Sequence, residues 1–199
     1  PIAALKSYND ESPEHCNVDA SVTSMHKNIG ALSACALINL SKSSRLSSEK
    51  VQDIFNMQST TSPSPYLMLD SECCLKKMKE DGKDLLTQSI NLTNKLRESI
   101  MNIEHVSVAT FANQDPTKLL FRVSGVKGTD LYDYLDLQYR INVDKYTQKA
   151  VVVSIHINII EQDVDDLIEA VRQIAAKYGC KEADVDPNQI KEQHHMNLS

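Results

Sequence analysis

Two textures of hydrophobic and polar positions divide the chain. Residues 18–25, Val-Asp-Ala-Ser-Val-Thr-Ser-Met, alternate small or apolar with polar side chains and are rich in β-branched types, which predicts a short strand. His26 and Lys27 follow. Gly30 then opens an apolar run of Ala31, Leu32, Ala34, Cys35, Ala36, Leu37, Ile38 and Leu40 that reads as a buried helix with small residues for close packing. The pair His26-Lys27 is thereby placed in a strand-to-helix turn. Residues 41–48 are rich in Ser and Lys and predict a loop, and a short helix follows over 48–55. In Ser59-Thr60-Thr61-Ser62-Pro63-Ser64-Pro65-Tyr66, two prolines forbid regular helix, and the hydroxyls make a polar turn able to hold an anion. From 66 to 103 the apolar period is helical, with a break or bend expected at Asp81-Gly82.

Beyond 103 the texture changes. Strands are expected at 106–111, 119–123, 141–143 and 151–157, and helices at 130–138 and 164–178, with Gly179 as the last C-cap. This is a compact α/β lobe. The organisation read from the pattern is a first part over 1–70, long helices and the small α/β lobe over 71–180, and a polar tail over 181–199.

Composition narrows the classes. The net charge of -6 offers no basic stripe for a phosphate backbone, so nucleic-acid binding has no electrostatic support. No window approaches the roughly 20 apolar residues of a membrane span. The first residues, Pro1-Ile2-Ala3-Ala4-Leu5, have neither an initiator Met nor the order of a secretory signal, which reads as a processed chain or a fragment. Five cysteines without a CxxC pair suggest neither a zinc site nor a disulfide framework and fit a reducing, cytoplasmic compartment. His105 and His156 fall in strand patterns as core or edge residues, and the tail pair His194-His195 is no metal site, so no metal is assigned. The acids Glu161, Asp163, Asp165, Asp166 and Glu169 gather at the start of the last helix, where the dipole favours them.

The candidate chemistry centres on Lys27. A lysine desolvated in a turn has a lowered pKa, and its neutral amine attacks an aldehyde. On spacing alone, the commoner reading is a solvated surface lysine. Asp19-Ala20-Ser21-Val22-Thr23-Ser24-Met25-His26-Lys27-Asn28-Ile29-Gly30-Ala31-Leu32-Ser33, however, resembles the cofactor-lysine segment of the Orn/Lys/Arg decarboxylases, in which a strand leads into Ser-x-His-Lys and then Ala-Leu-Ser/Thr. Residues 59–67 are similar to that family's Thr-Ser-Pro-Ser-Tyr motif, with one extra proline before Tyr66. Asp115-Pro116-Thr117-Lys118-Leu119 and Val123-Ser124-Gly125 resemble a later signature. The three stand in the family's order, and the resemblance runs over about residues 18–176.

The resemblance implies an α/β protein: the end of a fold-type-I large domain that binds pyridoxal 5'-phosphate, then linking helices and a small two-layer α/β domain. It implies Lys27 as the Schiff-base lysine, with Ser24 and His26 contacting the cofactor or its phosphate. Thr60, Thr61 and Ser62 are implied to approach the phosphate across a subunit interface, which makes a homo-oligomer the expected state. Hydroxyls and an imidazole are chemically suited to those roles. The bottom-up alternatives are a satisfied turn histidine for His26 and a plain capping turn for 60–62. The reaction implied is decarboxylation of lysine, arginine or ornithine, with the cofactor ring accepting the electrons left by carbon dioxide. In the family, the acid that pairs with the ring nitrogen lies upstream of the lysine segment, and only eighteen residues precede Asp19. The competing expectations are therefore a decarboxylase-like fragment acting as a binding or regulatory partner of a complete subunit, and another fold-type-I enzyme such as an aminotransferase or lyase; a complementary chain that carries the upstream half is the partner expected in place of a homo-oligomer. Arg140 stands where relatives commonly have glycine, so a different local turn is expected.

Overall fold

Strand β1 (Ala20–Ser24) runs into a single helical turn, α1 (Met25–Asn28), and returns as β2 (Ala36–Leu40). The computed structural model describes residues 16–60, 62–111 and 114–180. β1 and β2 pair antiparallel, with Ala20 opposite Leu40, Val22 opposite Ile38 and Ser24 opposite Ala36. The helix expected over the apolar run from Gly30 is thus a loop and a strand. Such a run is ambiguous between buried helix and buried strand. Two local facts decide it. Gly30 adopts φ +75°, which interrupts helix, and β1 offers a pairing edge to the residues that follow.

Helix α2 (Ser48–Gln58) begins where Ser47 accepts a hydrogen bond from the Lys50 amide, and it buries none of its residues. Helix α3 (Pro65–Met101) is continuous over 37 residues. The break expected at Asp81-Gly82 does not occur. A glycine inside a helix costs about 1 kcal/mol relative to alanine, which the packing of so long a helix absorbs. The Met78 methyl occupies the space beside Gly82, 3.0 Å from where a Cβ would stand.

The remaining elements are β3 (Val106–Ala109), β4 (Lys118–Val123), α4 (Gly128–Tyr139), β5 (Lys145–Tyr146), β6 (Val151–Ser154) and α5 (Glu161–Tyr178). The four strands form an antiparallel sheet in the order β3-β4-β6-β5. The strand expected at 141–143 is absent. Arg140 ends α4 in the left-handed conformation, φ 60° and ψ 30°, and pairing resumes only at Lys145. Arginine therefore occupies a left-handed turn position of the kind that glycine favours.

Two units make up the chain, Pro1–Leu92 with Ile155–Ile160 and Thr93–Ser154 with Glu161–Ser199, so the division falls within α3. In the first, Met25, Ile29, Ala31, Cys35, Leu86 and Ile157 form one buried cluster. In the second, alternate residues of β4 (Leu119, Phe121, Val123) and of β6 (Val151, Val153) are buried, as period-2 patterning requires. The buried positions of α5, including Val164, Leu167, Ile168, Val171 and Ile174, recur at three- and four-residue steps and give one apolar face. α4 lies beside α5, where Tyr134 stacks on Tyr178 at 4.5 Å.

Candidate active site around Lys27

The first unit positions the candidate chemistry at the end of β1. Ser24 caps the four-residue α1 in extended conformation, and its hydroxyl makes no capping hydrogen bond. Met25 turns inward and is 1% exposed, which anchors the turn in the core. On either side of it, Ser24 and His26 are half-buried, and Lys27 is exposed. This corrects the expectation of a lysine desolvated beneath a helix, because the segment above it is the loop into β2. Lys27 makes no ion pair with a described residue.

The imidazole of His26 has a fixed partner. Its Nδ1 lies 3.0 Å from the carbonyl oxygen of Cys35, which also accepts the Met25 amide at 2.9 Å. A carbonyl can only accept, so Nδ1 carries the proton and Nε2 is left for another group. The loop that supplies this carbonyl is tied to α3. The Leu32 amide donates to Asp70 Oδ2 at 2.7 Å, and the buried Cys35 thiol approaches the Leu67 carbonyl at 3.8 Å. Further along α3, Cys73 is exposed and Cys74 half-buried, as adjacent helical positions on different faces should be, and burial pushes the Cys74 thiol up.

A second clamp holds the strand's beginning. Asp19 accepts from the Arg45 amide at 2.8 Å and from its guanidinium at 2.6 and 3.1 Å, which joins β1 to the loop ahead of α2. The Arg45 hydrogen bonds hold the Asp19 carboxyl below the ordinary aspartate range. A carboxylate lowered in this way stabilises the fold above its unfolded value, about pH 3.9, and that contribution is lost as pH falls through the lower folded value. Asp19→Asn should therefore lower the thermal midpoint at pH 7 by a small margin, since the pair is exposed. The gap to the parent should close in scans taken on acidification below about pH 4.

Thr60 and Ser62 are exposed in the turn between α2 and α3, where the Ser62 amide donates to Thr60 Oγ1 at 3.1 Å. No described hydrogen bond joins them to Ser24, His26 or Lys27. Thr61 and the tail histidines His194 and His195 lie outside the described residues. His105 and His156 fall just outside strands β3 and β6, not within them. The Asp115 motif is a turn that launches β4. The Asp115 carboxylate accepts from the Thr117 amide at 2.9 Å and its hydroxyl at 2.7 Å, while Lys118 reaches across to Ser154 at 2.6 Å. Part of the acidic run on α5 is paired rather than merely solvated, because Lys95 reaches Glu161 at 2.7 Å and Asp165 at 2.6 Å.

Sequence reasoning missed Asp70 and Arg45. Each binds a partner 38 or 26 residues away, and nothing local marks an acid that will bind a backbone amide or an arginine in a serine-rich loop.

Residues 5–125 match the family described as Orn/Lys/Arg decarboxylase, major domain. The chain belongs to this family. Among curated relatives it is 30% identical over 185 residues to the arginine decarboxylase of Bacillus cereus, an alignment that covers 86% of this chain and 40% of that protein. The chain thus spans about two fifths of the length of that relative. Among solved structures, the constitutive lysine decarboxylase of E. coli superposes with a TM-score of 0.66 at 16% identity, over 90% of this chain and 29% of that one. An alanine–glyoxylate aminotransferase from Nostoc sp. gives 0.63 at 17% identity, over 79% of this chain and 48% of the other. These likenesses establish the fold as the mixed helix-and-sheet architecture of fold-type-I enzymes, as expected from the family's motifs. Among the described residues, no helix is long and apolar enough to cross a membrane.

Proposed function

We propose that the protein to which these residues belong decarboxylates a basic amino acid, arginine, lysine or ornithine, with pyridoxal 5'-phosphate held at Lys27. The observation that carries the reading is the cluster at the end of β1: an exposed primary amine, a hydroxyl without a capping bond and an imidazole with one free nitrogen, all within four residues. That donor set fits the cofactor. The Lys27 amine suits an aldehyde and the Ser24 hydroxyl suits a phosphate, while His26 Nε2 is an acceptor that suits a donor group of the cofactor, or its phosphate once it takes up a proton. When bound, the cofactor supplies the electron sink for loss of the carboxylate.

The chain's own residues have simpler tasks. Lys27 Nζ would hold the cofactor, and Ser24 would orient its phosphate end. His26, fixed by the Cys35 carbonyl, would take up a proton at Nε2 and in that form hydrogen-bond the same end or relay the proton there. Thr60, Thr61 and Ser62 would supply hydroxyls to the phosphate of a neighbouring subunit, which would make the working form a dimer or larger. The chain spans about two fifths of the Bacillus cereus relative, and the acid that would pair with the ring nitrogen is assigned to the remainder, in the same protein or in a complementary chain.

The test is carbon dioxide release from each of the three amino acids by the cofactor-loaded protein, with identification of the amine formed. Release from one of them, with the matching diamine or agmatine, is the expected outcome, and arginine is assayed first because the curated relatives are arginine decarboxylases. Keto-acid formation without carbon dioxide would overturn decarboxylation in favour of the aminotransferase chemistry that shares this fold. Cofactor bound at Lys27 with no turnover, alone or beside a complete family member, would favour a binding or regulatory partner.

A further inference from the structure

The loop from Ile29 to Cys35 carries no helix or strand, yet it must hold one atom in place: the Cys35 carbonyl that fixes His26. Its core anchors are Ile29, Ala31 and the Cys35 side chain, all buried. Its polar anchor is Asp70, whose Oδ2 accepts the Leu32 amide at 2.7 Å. The helix dipole does not account for this carboxylate. That effect fades beyond the first turn, and the first turn of α3 has no acid. Asp70 also lies three residues from Leu67, on the same face of α3, and the Leu67 carbonyl meets the Cys35 thiol. Two points of one helix face thus hold both ends of the stretch from Leu32 to Cys35.

The geometry points to Asp70 as a positioning residue for the Lys27 site: by pinning the Leu32 amide it sets the Cys35 carbonyl, and through it the protonated nitrogen of His26. The consequence for cofactor binding rests on the reading that Lys27 holds pyridoxal phosphate; the consequence for His26 does not. A charge-assisted hydrogen bond of this kind supports about a tenfold effect on an equilibrium that depends on it.

The experiment uses the full chain with nitrogen-15-labelled histidine, His26 being assigned with His26→Gln. In the parent, the spectrum should report a single tautomer with the proton on Nδ1. Asp70→Ala should lose that single pattern and raise the half-saturating concentration of pyridoxal phosphate for borohydride-trapped labelling of Lys27 about tenfold. Asp70→Asn keeps an oxygen that can accept the amide, and should retain the tautomer and stay within about threefold of the parent. An unchanged tautomer in Asp70→Ala, or an Asn variant as impaired as the Ala variant, would overturn the assignment. If Asp70→Ala does not fold, hydrogen exchange at the Leu32 amide of the parent decides: protection supports the pin, and exchange at the rate of an open loop refutes it. A parent with no label at Lys27 would defeat the cofactor reading alone and leave the spectra to judge Asp70.

Discussion

Lys27→Ala should reduce borohydride-trapped pyridoxal phosphate to background, a loss of at least about 100-fold, while leaving the thermal midpoint nearly unchanged. The first half follows from chemistry: a reducible carbon–nitrogen bond needs a primary amine, and alanine supplies none. The second half follows from the structure. Lys27 is exposed, makes no ion pair with a described residue and stands on a helix of four residues, so its truncation removes no packed atoms. Such surface changes usually alter stability by no more than about 0.5 kcal/mol. Peptide mapping of the label against a control, Lys50→Ala on the exposed face of α2, separates a site from general lysine reactivity. Label spread over many lysines, or retained in Lys27→Ala, would remove the basis for the proposed function, because no other part of the cluster can hold the cofactor covalently. A loss of stability of about 2 kcal/mol or more would instead show that Lys27 has a packing role that its exposure does not reveal.

The amphipathic helices and alternating strands were legible because their periods have one interpretation. α4 and α5 carry apolar residues at three- and four-residue steps, and β4 alternates buried with half-buried positions over its six residues. The residues after Lys27 were not legible, since a run rich in Ala and Leu satisfies either element until its partner is known. The choice of strand rests on pairing with β1, 12 to 20 residues away in the chain. The unbroken course of α3 through Gly82 was hidden for the opposite reason, a local signal overruled by packing. At the site, the residues adjacent in sequence, Ser24, His26 and Lys27, could be named from the motif. The groups that orient them, the Cys35 carbonyl and the Asp70 carboxylate, could not, because a backbone acceptor leaves no trace in residue type and an acid on a polar helix resembles every other.

Phe121→Ala should be the most damaging single truncation in the second unit, at about 3–5 kcal/mol. Phe121 is 1% exposed and sits in β4, the strand paired on both sides, opposite Val108 of β3 and Val151 of β6. Its ring lies between Leu119 and Val123 on the buried face, both 1% exposed or less, so truncation opens a space that these two residues, Val108 and Val151 cannot close by rotamer change from fixed strands. The predicted loss is large beside the roughly 5–15 kcal/mol that holds an ordinary domain folded, and a drop of at least about 10 °C in the thermal midpoint is expected. Ser107→Ala on β3 is the matched control. Ser107 pairs with Arg122 in the same ladder but faces solvent, and its substitution should cost no more than about 0.5 kcal/mol. Denaturant titration of the two variants checks the contrast. Equal, small losses would mean that the face of β4 carrying Phe121 is not the centre of this core, and the sheet order that places β4 between β3 and β6 would have to be drawn again.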